Sequence, residues 1–423
     1  MRRALVALAL LATLLVAAAA AFVLFPLRDP HPAIYSAPGV SVLRGARVWA
    51  DPDSTPQDGV TLVLEGGRIA AMGPSVPVPT GAAEIPCSHC VVTAGFWNAH
   101  VHFTQPRFEG AAFTGAPRLE SALAEMLGSR GFTTVVDTGS DLRTTISLRR
   151  RIESGELRGP RIYTAGAALY PPDGVPYYLK DALPFFILAL LPQPATPEEA
   201  VRAVARNAGD GADLLKLFTG SYVARGRVLP MPLPVARAAV EEAHRRGQLV
   251  FSHASDRAGA AVALAAGVDV LAHALDSPEG VDAGFLSDLV AHKVALVPTL
   301  KMFATTVTTA PAYLEPITAQ VRAFHQAGGV LLFGTDVGYM DDSSTEGELA
   351  ALAGAGLGPR EVLRMLTTAP ATRFGAAAET GTVAPGKRAD LVLLSADPSQ
   401  DVGAFARVAA TVRAGRVIYT AHE

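Results

Sequence analysis

The sequence predicts an α/β protein, a (β/α)8 TIM barrel with a small β-sandwich domain formed from both chain ends. Three observations support this. Between about residues 93 and 376, short β-branched apolar runs alternate eight times with helix-like amphipathic stretches. Polar residues recur where those runs end. The flanking segments instead alternate apolar and polar residues between Gly and Pro turns, the pattern of strands with one buried face. A chain of 423 residues, half of them apolar, is long enough for a barrel of this kind to occupy most of it.

In chain order, residues 1–30 read MRRALVALALLATLLVAAAAAFVLFPLRDP, with Arg2 and Arg3 ahead of an uncharged run from Ala4 to Phe25. The small residues from Ala17 to Ala21 offer sites for cleavage of a signal peptide. The same run, at about 1.5 Å per residue, is also long enough for an N-terminal membrane anchor. Both readings stay open. Both place the working part outside the cytoplasm, in the periplasm, in the extracellular space or held at a membrane through residues 4–25.

Residues 31–92 form the first part of the β-sandwich, with SVLRGARVWADPDSTPQDGVTLVLEGGRIAAMGPS as its alternating core. Residues 377–423, with GTVAPGKRADLVLLSADP and VAATVRAGRVIYT, form the second part. The two are expected to pair because each needs a partner sheet to bury one face. The only cysteines, Cys87 and Cys90, sit in IPCSHC. A structural turn, closed by a disulfide in an oxidising compartment, is favoured over a redox pair or a zinc half-site with His89. A redox pair calls for a helix N-terminus next to the thiols, and VVTAGF reads as a strand.

The eight barrel runs are CVVTAGFWNAH, GFTTVVDTG, RIYTAGA, ADLLKLFTG, QLVFSHAS, VDVLAHAL, VALVPTL and VLLFGTDVG. Between them lie helix-like stretches such as SALAEMLGSRG, PEEAVRAVARNAG, PLPVARAAVEEAHRRG, AGAAVALAAG and PITAQVRAFHQAGG, several closed by Gly. His100 and His102 end the first run, Lys216 lies in the fourth, His253 ends the fifth, His273 the sixth and Asp336 the eighth. On a strand, residues i and i+2 face the same side, so the two imidazoles of NAHVH point at one place.

Each of these residues has an ordinary alternative: a hydrogen-bonded core histidine, a lysine whose head reaches solvent, an aspartate capping the next helix. Their shared position, at the same end of several strands, favours convergence in one cup at the C-terminal face. The other histidines follow the ordinary pattern, with His244 and His325 in helical stretches, His292 before a strand, and His31, His89 and His422 in loops or tails. A net charge of -3 without basic clusters gives no footprint for nucleic acid. A small-molecule substrate is expected, and a homo-oligomer is left open.

These motifs together resemble the amidohydrolase superfamily of metal-dependent hydrolases. NAHVH is similar to its first metal motif, followed by the lysine, the two later histidines and GTD. ARVW…TLVLEGGRIAAMGP and GTVAPGKRADLVLL are similar to its small β-domain. KLFTG and GFTTVVDTG resemble the imidazolonepropionase-like and Xaa-Pro-dipeptidase-like branch.

The resemblance implies a centre of two divalent metal ions, with His100, His102 and Asp336 on one and His253 and His273 on the other. Lys216 would bridge them as N6-carboxylysine, since a bare ammonium cannot ligate a cation. Imidazole and carboxylate ligands favour zinc, leaving iron, manganese and nickel open. Asp336 would act as the acid/base catalyst in hydrolysis of an amide, cyclic amide, carbamate or ester. Alternatives are a mononuclear deaminase of the same fold, an Xaa-Pro-type dipeptidase and a barrel that only binds.

One segment departs from the branch. After the third strand its dipeptidase-like members carry a Gly-rich loop with a histidine, whereas this chain has YPPDGVPYYLKDALPFFILALLPQP. That difference counts against peptidase activity. The insert could wall an apolar pocket, rest on a membrane surface or pack as a helix on the barrel. Tyr170, Tyr177 and Tyr222 are candidate substrate contacts, and the aromatic insert favours a substrate of apolar character.

Overall fold

The computed structural model describes residues 34–87 and 89–421. The N-terminal segment read as signal or anchor, residues 1–30, lies outside the described residues, as does His422. Among the described residues no helix is long and apolar enough to cross a membrane.

The fold is TIM-barrel-like. Parallel strands β6 (Phe96–Val101), β7 (Phe132–Asp137) and β8 (Arg161–Thr164) form one ladder. A second ladder comprises β9 (Leu214–Phe218), β12 (Leu249–His253), β13 (Val270–Ala272) and β14 (Ala295–Val297). Seven of the eight expected runs are thus strands. The eighth, residues 330–338, joins through isolated bridges, Leu296 to Leu331 on one side and Val101 to Val337 on the other. A bridge from Leu169 to Leu217 links the two ladders on their remaining side. The hairpin β10 (Gly220–Ala224) and β11 (Arg227–Pro230), which the run pattern does not show, follows β9.

One apolar cluster draws on every run: Ala99, Val136, Ala165, Leu214, Phe251, Val270, Ala272, Ala295, Val297 and Leu332. Neighbouring strand residues such as Val135, Leu215 and Val250 belong instead to the larger core shared with the helices. This inside-and-outside alternation is what the pleat requires. The helices lie where the sequence places them, for example Pro197–Gly209, capped by Thr196, and Leu233–Arg245.

The chain ends meet in one sheet of eight strands. Its path runs β17 (Arg416–Thr420), β16 (Val408–Arg413), β15 (Leu391–Leu394), β5 (Val91–Ala94), β1 (Val40–Val48), β2 (Gln57–Glu65) and β3 (Arg68–Gly73), with β4 (Ala83–Glu84) on β1. Pairing of the ends is as expected. The sequence reading of a sandwich differs from this pairing, because β5 bonds to both β1 and β15 and makes the ladder continuous.

The central strands are buried on both faces. Val392 and Leu394 join the barrel core, while Leu391 and Leu393 join the sheet's own core. Buried Arg413 pairs with buried Glu153 at 2.6 Å, fixing the sheet to the helix Leu142–Glu153. Cys87 and Cys90 form a disulfide beside this sheet.

The run CVVTAGFWNAH divides at Gly95, leaving β5 in the end sheet and β6 in the barrel. A Cβ at Gly95 would lie 2.2 Å from Thr133 Oγ1, so the crossing of the two sheets leaves room only for glycine.

Candidate metal centre

The six residues singled out in the sequence stand at one end of the strands. His100 is in β6 after an irregularity in its pairing with β7, and His102 is one residue beyond that strand. Lys216 lies two residues after inward-facing Leu214, and His253 two after inward-facing Phe251. His273 immediately follows β13, and Asp336 ends the eighth run.

His100 Nε2 and His102 Nε2 lie 3.3 and 3.0 Å from Asp336 Oδ1, and His273 Nε2 is 3.9 Å from Asp336 Oδ2. Ligand atoms of His100, His102 and Asp336 all lie within 4.8 Å of one another. The His253 and His273 ring centroids are 4.9 Å apart, and those of His100 and His273 are 4.4 Å apart. Lys216 Nζ lies 5.7 Å from the Phe218 ring, which stacks on His253.

Backbone geometry sets this rim. Ser255, His273, Thr299 and Asp336 all have positive φ, between 48° and 83°. Such conformations are costly for residues other than glycine and persist where surrounding structure enforces them. The Asp336 amide donates to the His100 carbonyl at 2.9 Å, and the His102 amide to the Val337 carbonyl at 2.8 Å. Gly338 (φ +104°) is required here, since a Cβ would sit 1.9 Å from the His102 carbonyl oxygen.

The hydrogen bonds fix tautomers. His102 Nδ1 is 2.9 Å from the Gly139 carbonyl, which only accepts, so Nδ1 carries the proton. The Thr299 hydroxyl donates to the Pro298 carbonyl at 2.8 Å and therefore accepts from His273 Nδ1, also at 2.8 Å. In the neutral rings both Nε2 atoms thus turn lone pairs toward the Asp336 carboxylate. Asp336 Oδ1 and His100 Nδ1 are buried without a hydrogen-bond partner. Lone pairs facing a carboxylate at 3.0 Å repel unless a cation, either a proton or a metal ion, lies between them.

The electrostatics favour a metal ion at most of these rings. Burial, with the Lys216 and His273 charges, holds His100 far below its ordinary pKa. Burial, with Lys216, takes His253 down to about 3, and burial with His253 and Lys216 depresses His273. His102 differs, because Asp336 outweighs burial and raises it. Neutral imidazoles whose other nitrogen is tied to a carbonyl or hydroxyl are suited to hold a divalent ion. Lys216 is 2% exposed, and burial lowers its pKa to about 7. A neutral amine is therefore accessible near neutral pH, and that is the form able to react with carbon dioxide.

Sequence reasoning passed over the supports of these ligands. Buried Asn98 Oδ1 accepts from the amides of His100 and Thr335 at 3.1 and 3.2 Å, and its Nδ2 donates to Thr335 Oγ1 at 2.7 Å. Asp137, fully buried at the end of β7, accepts from Ser140, Thr145 and Thr164 hydroxyls at 2.5, 3.0 and 2.7 Å. That fixes the turn whose Gly139 carbonyl orients His102. The signals were present, an amide in WNAHVH and a carboxylate in VVDTG, but nothing local distinguishes a ligand from its support.

The centre opens into a cavity of about 2070 Å³. Tyr170, Tyr177 and Tyr222 all line it. Tyr170 is buried against Phe218, with ring centroids 4.6 Å apart, and Tyr177 lies under the Arg225 guanidinium. The insert forms two short helices, Tyr177–Ala182 and Phe185–Leu188, and Leu179 and Ile187 from them, with Leu183 and Leu191 from the segments that follow each, line the cavity.

Comparison with known proteins agrees with this geometry. A model of the amidohydrolase family matches residues 91–418. Adenine deaminase 3 of Rhizobium johnstonii is 26% identical over 367 residues, which cover 84% of this chain and 54% of that protein, so the chain spans about half of its relative's length. The crystal structure of a putative prolidase from Bifidobacterium longum is 28% identical, with TM-score 0.72, covering 89% of this chain and 94% of the other. A prolidase complexed with N-methylphosphonate-L-proline is 25% identical, with TM-score 0.73, over 90% of this chain and all of that one.

Proposed function

The chain belongs to the amidohydrolase family, and on that premise we propose that this hydrolase cleaves an amide, cyclic amide, carbamate or ester bond using two divalent metal ions. His100, His102 and Asp336 would hold one ion, His253 and His273 the other, with Lys216 bridging as N6-carboxylysine. The observation carrying this reading is the set of imidazole lone pairs turned onto one buried carboxylate. The donor set of nitrogen and oxygen suits zinc. When bound, the ions would supply Lewis acidity that brings the pKa of water toward neutrality and polarises the substrate carbonyl.

The chain's residues supply the rest. Asp336 takes the proton of the attacking water at Oδ1 and returns it to the leaving group. Gly139 and Thr299 hold His102 and His273 in one tautomer throughout. Tyr170, Tyr177 and Tyr222, with the insert, surround the substrate and exclude water from an apolar portion of it. A full (β/α)8 barrel with its β-domain belongs to the same reading, supported by the interior cluster that draws on all eight runs. So do export and association with a membrane through residues 4–25.

Elemental analysis of the zinc-loaded protein tests the proposal and should find about two ions per chain. Lys216→Ala should abolish hydrolysis and leave at most one ion. Full hydrolysis by that variant would discard the bridge. Two other readings have support. The Bifidobacterium likeness favours an Xaa-Pro dipeptidase, to be seen as cleavage of Xaa-Pro peptides. The Rhizobium likeness favours a deaminase with a single ion, to be seen as ammonia release.

A further inference from the structure

We propose that Asp276, with Tyr222 and Tyr313, forms a subsite for a cationic nitrogen of the substrate, an ammonium or guanidinium group. The inference rests on the hydrolase reading and names a substrate class for that same cavity. Asp276 follows β13 by four residues and lines the cavity together with Tyr222, Tyr313 and Ser255. It is partly buried, and among the described residues it forms no ion pair.

Its surroundings supply hydrogen bonds but no positive charge. The Tyr222 hydroxyl is near enough to Asp276 to favour its charged form and lies 2.9 Å from Ser277 Oγ. A second carboxylate, Asp256, is near enough to repel it, and Tyr313 is near enough to feel its charge. The lining cations lie elsewhere. Arg225 rests over Tyr177, Lys216 lies at the metal centre, Arg143 stands on the helix Leu142–Glu153, and Arg202 and Arg206 are exposed to solvent.

A carboxylate kept from water without a cation is unfavourable, and burial accordingly pushes Asp276 up to about 7. A cation entering the cavity offsets that cost, and adjacent tyrosine rings add attraction through their faces. Tyr178 links this corner to the metal centre, since it feels both Asp276 and Asp336. Both Asp336 and Asp276 line the one cavity, and in this proposal a substrate with its scissile carbonyl at Asp336 places a charged side group at Asp276. The tyrosine faces alone would give a smaller preference, one that Asp276→Asn would leave in place.

Two measurements test the subsite. In calorimetric titrations, n-butylammonium should bind the wild-type protein more tightly than n-butanol or butyrate. Asp276→Asn, which keeps the shape of the side chain, should weaken the ammonium by about tenfold or more and leave the alcohol within about twofold. In turnover of lysine and norleucine p-nitroanilides, the variant should lower the lysine-to-norleucine ratio of kcat/KM by about tenfold or more. Thermal melting confirms that the variant is folded.

Equal ammonium binding by both proteins, or a preference for butyrate, would overturn the subsite. An unchanged kcat/KM ratio would do the same. If wild-type protein hydrolyses neither anilide, the hydrolase reading is weakened while the titration still decides the subsite.

Discussion

The cavity has two walls built on opposite principles. At the metal centre the side chains are held by polar partners: His102 by Gly139, His273 by Thr299, and the first strand by Asn98. Next to it, the insert and Phe218 contribute side chains held by apolar contact. Tyr170 and Phe218 pack with Val175, Leu188 and Leu191, while Phe185, Phe186 and Leu190 are 83%, 56% and 76% exposed. Hydrogen bonds specify orientation, whereas apolar contact is nondirectional and tolerates substitution. The first wall therefore fixes the chemistry, and the second is free to set which molecule is accepted.

Substitutions can sharpen or break this contrast. The largest effect is expected at Asp336. Asp336→Asn should lower kcat by roughly 10²- to 10⁴-fold, the usual contribution of a general acid/base, with an unchanged melting profile. A variant within threefold of wild type in kcat would remove Asp336 from the proton transfer. Next comes Thr299→Val, which leaves His273 Nδ1 without its acceptor and should weaken metal affinity about 10- to 100-fold, as loss of an orienting partner does. Competition with a chelator measures it, and an unchanged affinity would mean that this bond does not orient the ligand.

The smallest effect is expected on the other wall. Phe185→Ser should change stability by less than about 0.5 kcal/mol in denaturant titration, because the ring is already in water. A loss several times larger would show that the insert is held as firmly as the metal centre.

The candidate metal ligands could be picked out in the sequence because their chemistry and their placement at strand ends agree. His100 and His102 are two residues apart, and His253 and Lys216 each stand two residues beyond an inward-facing apolar residue. What supports them was not legible. Asp137, Asn98 and Thr299 each make a contact between residues 26 to 237 positions apart, and no local pattern records such pairings. The break at Gly95 escaped for another reason. Both halves of that run are buried on both faces, so their composition is the same although they belong to different sheets. The eighth run reads as a strand from its residues, yet with each neighbour it forms one isolated bridge and a few backbone hydrogen bonds in place of a continuous ladder.

The pairing of β5 with β15 also constrains the order in which the molecule can be completed. A ribosome delivers Val91–Ala94 early and Leu391–Leu394 almost three hundred residues later, yet these segments lie side by side, one residue away from the strand that bears His100. A chain released before its last strands are made leaves that edge of β5 unpaired. The sheet of the chain ends is thereby closed last, against a barrel whose own strands have already been made.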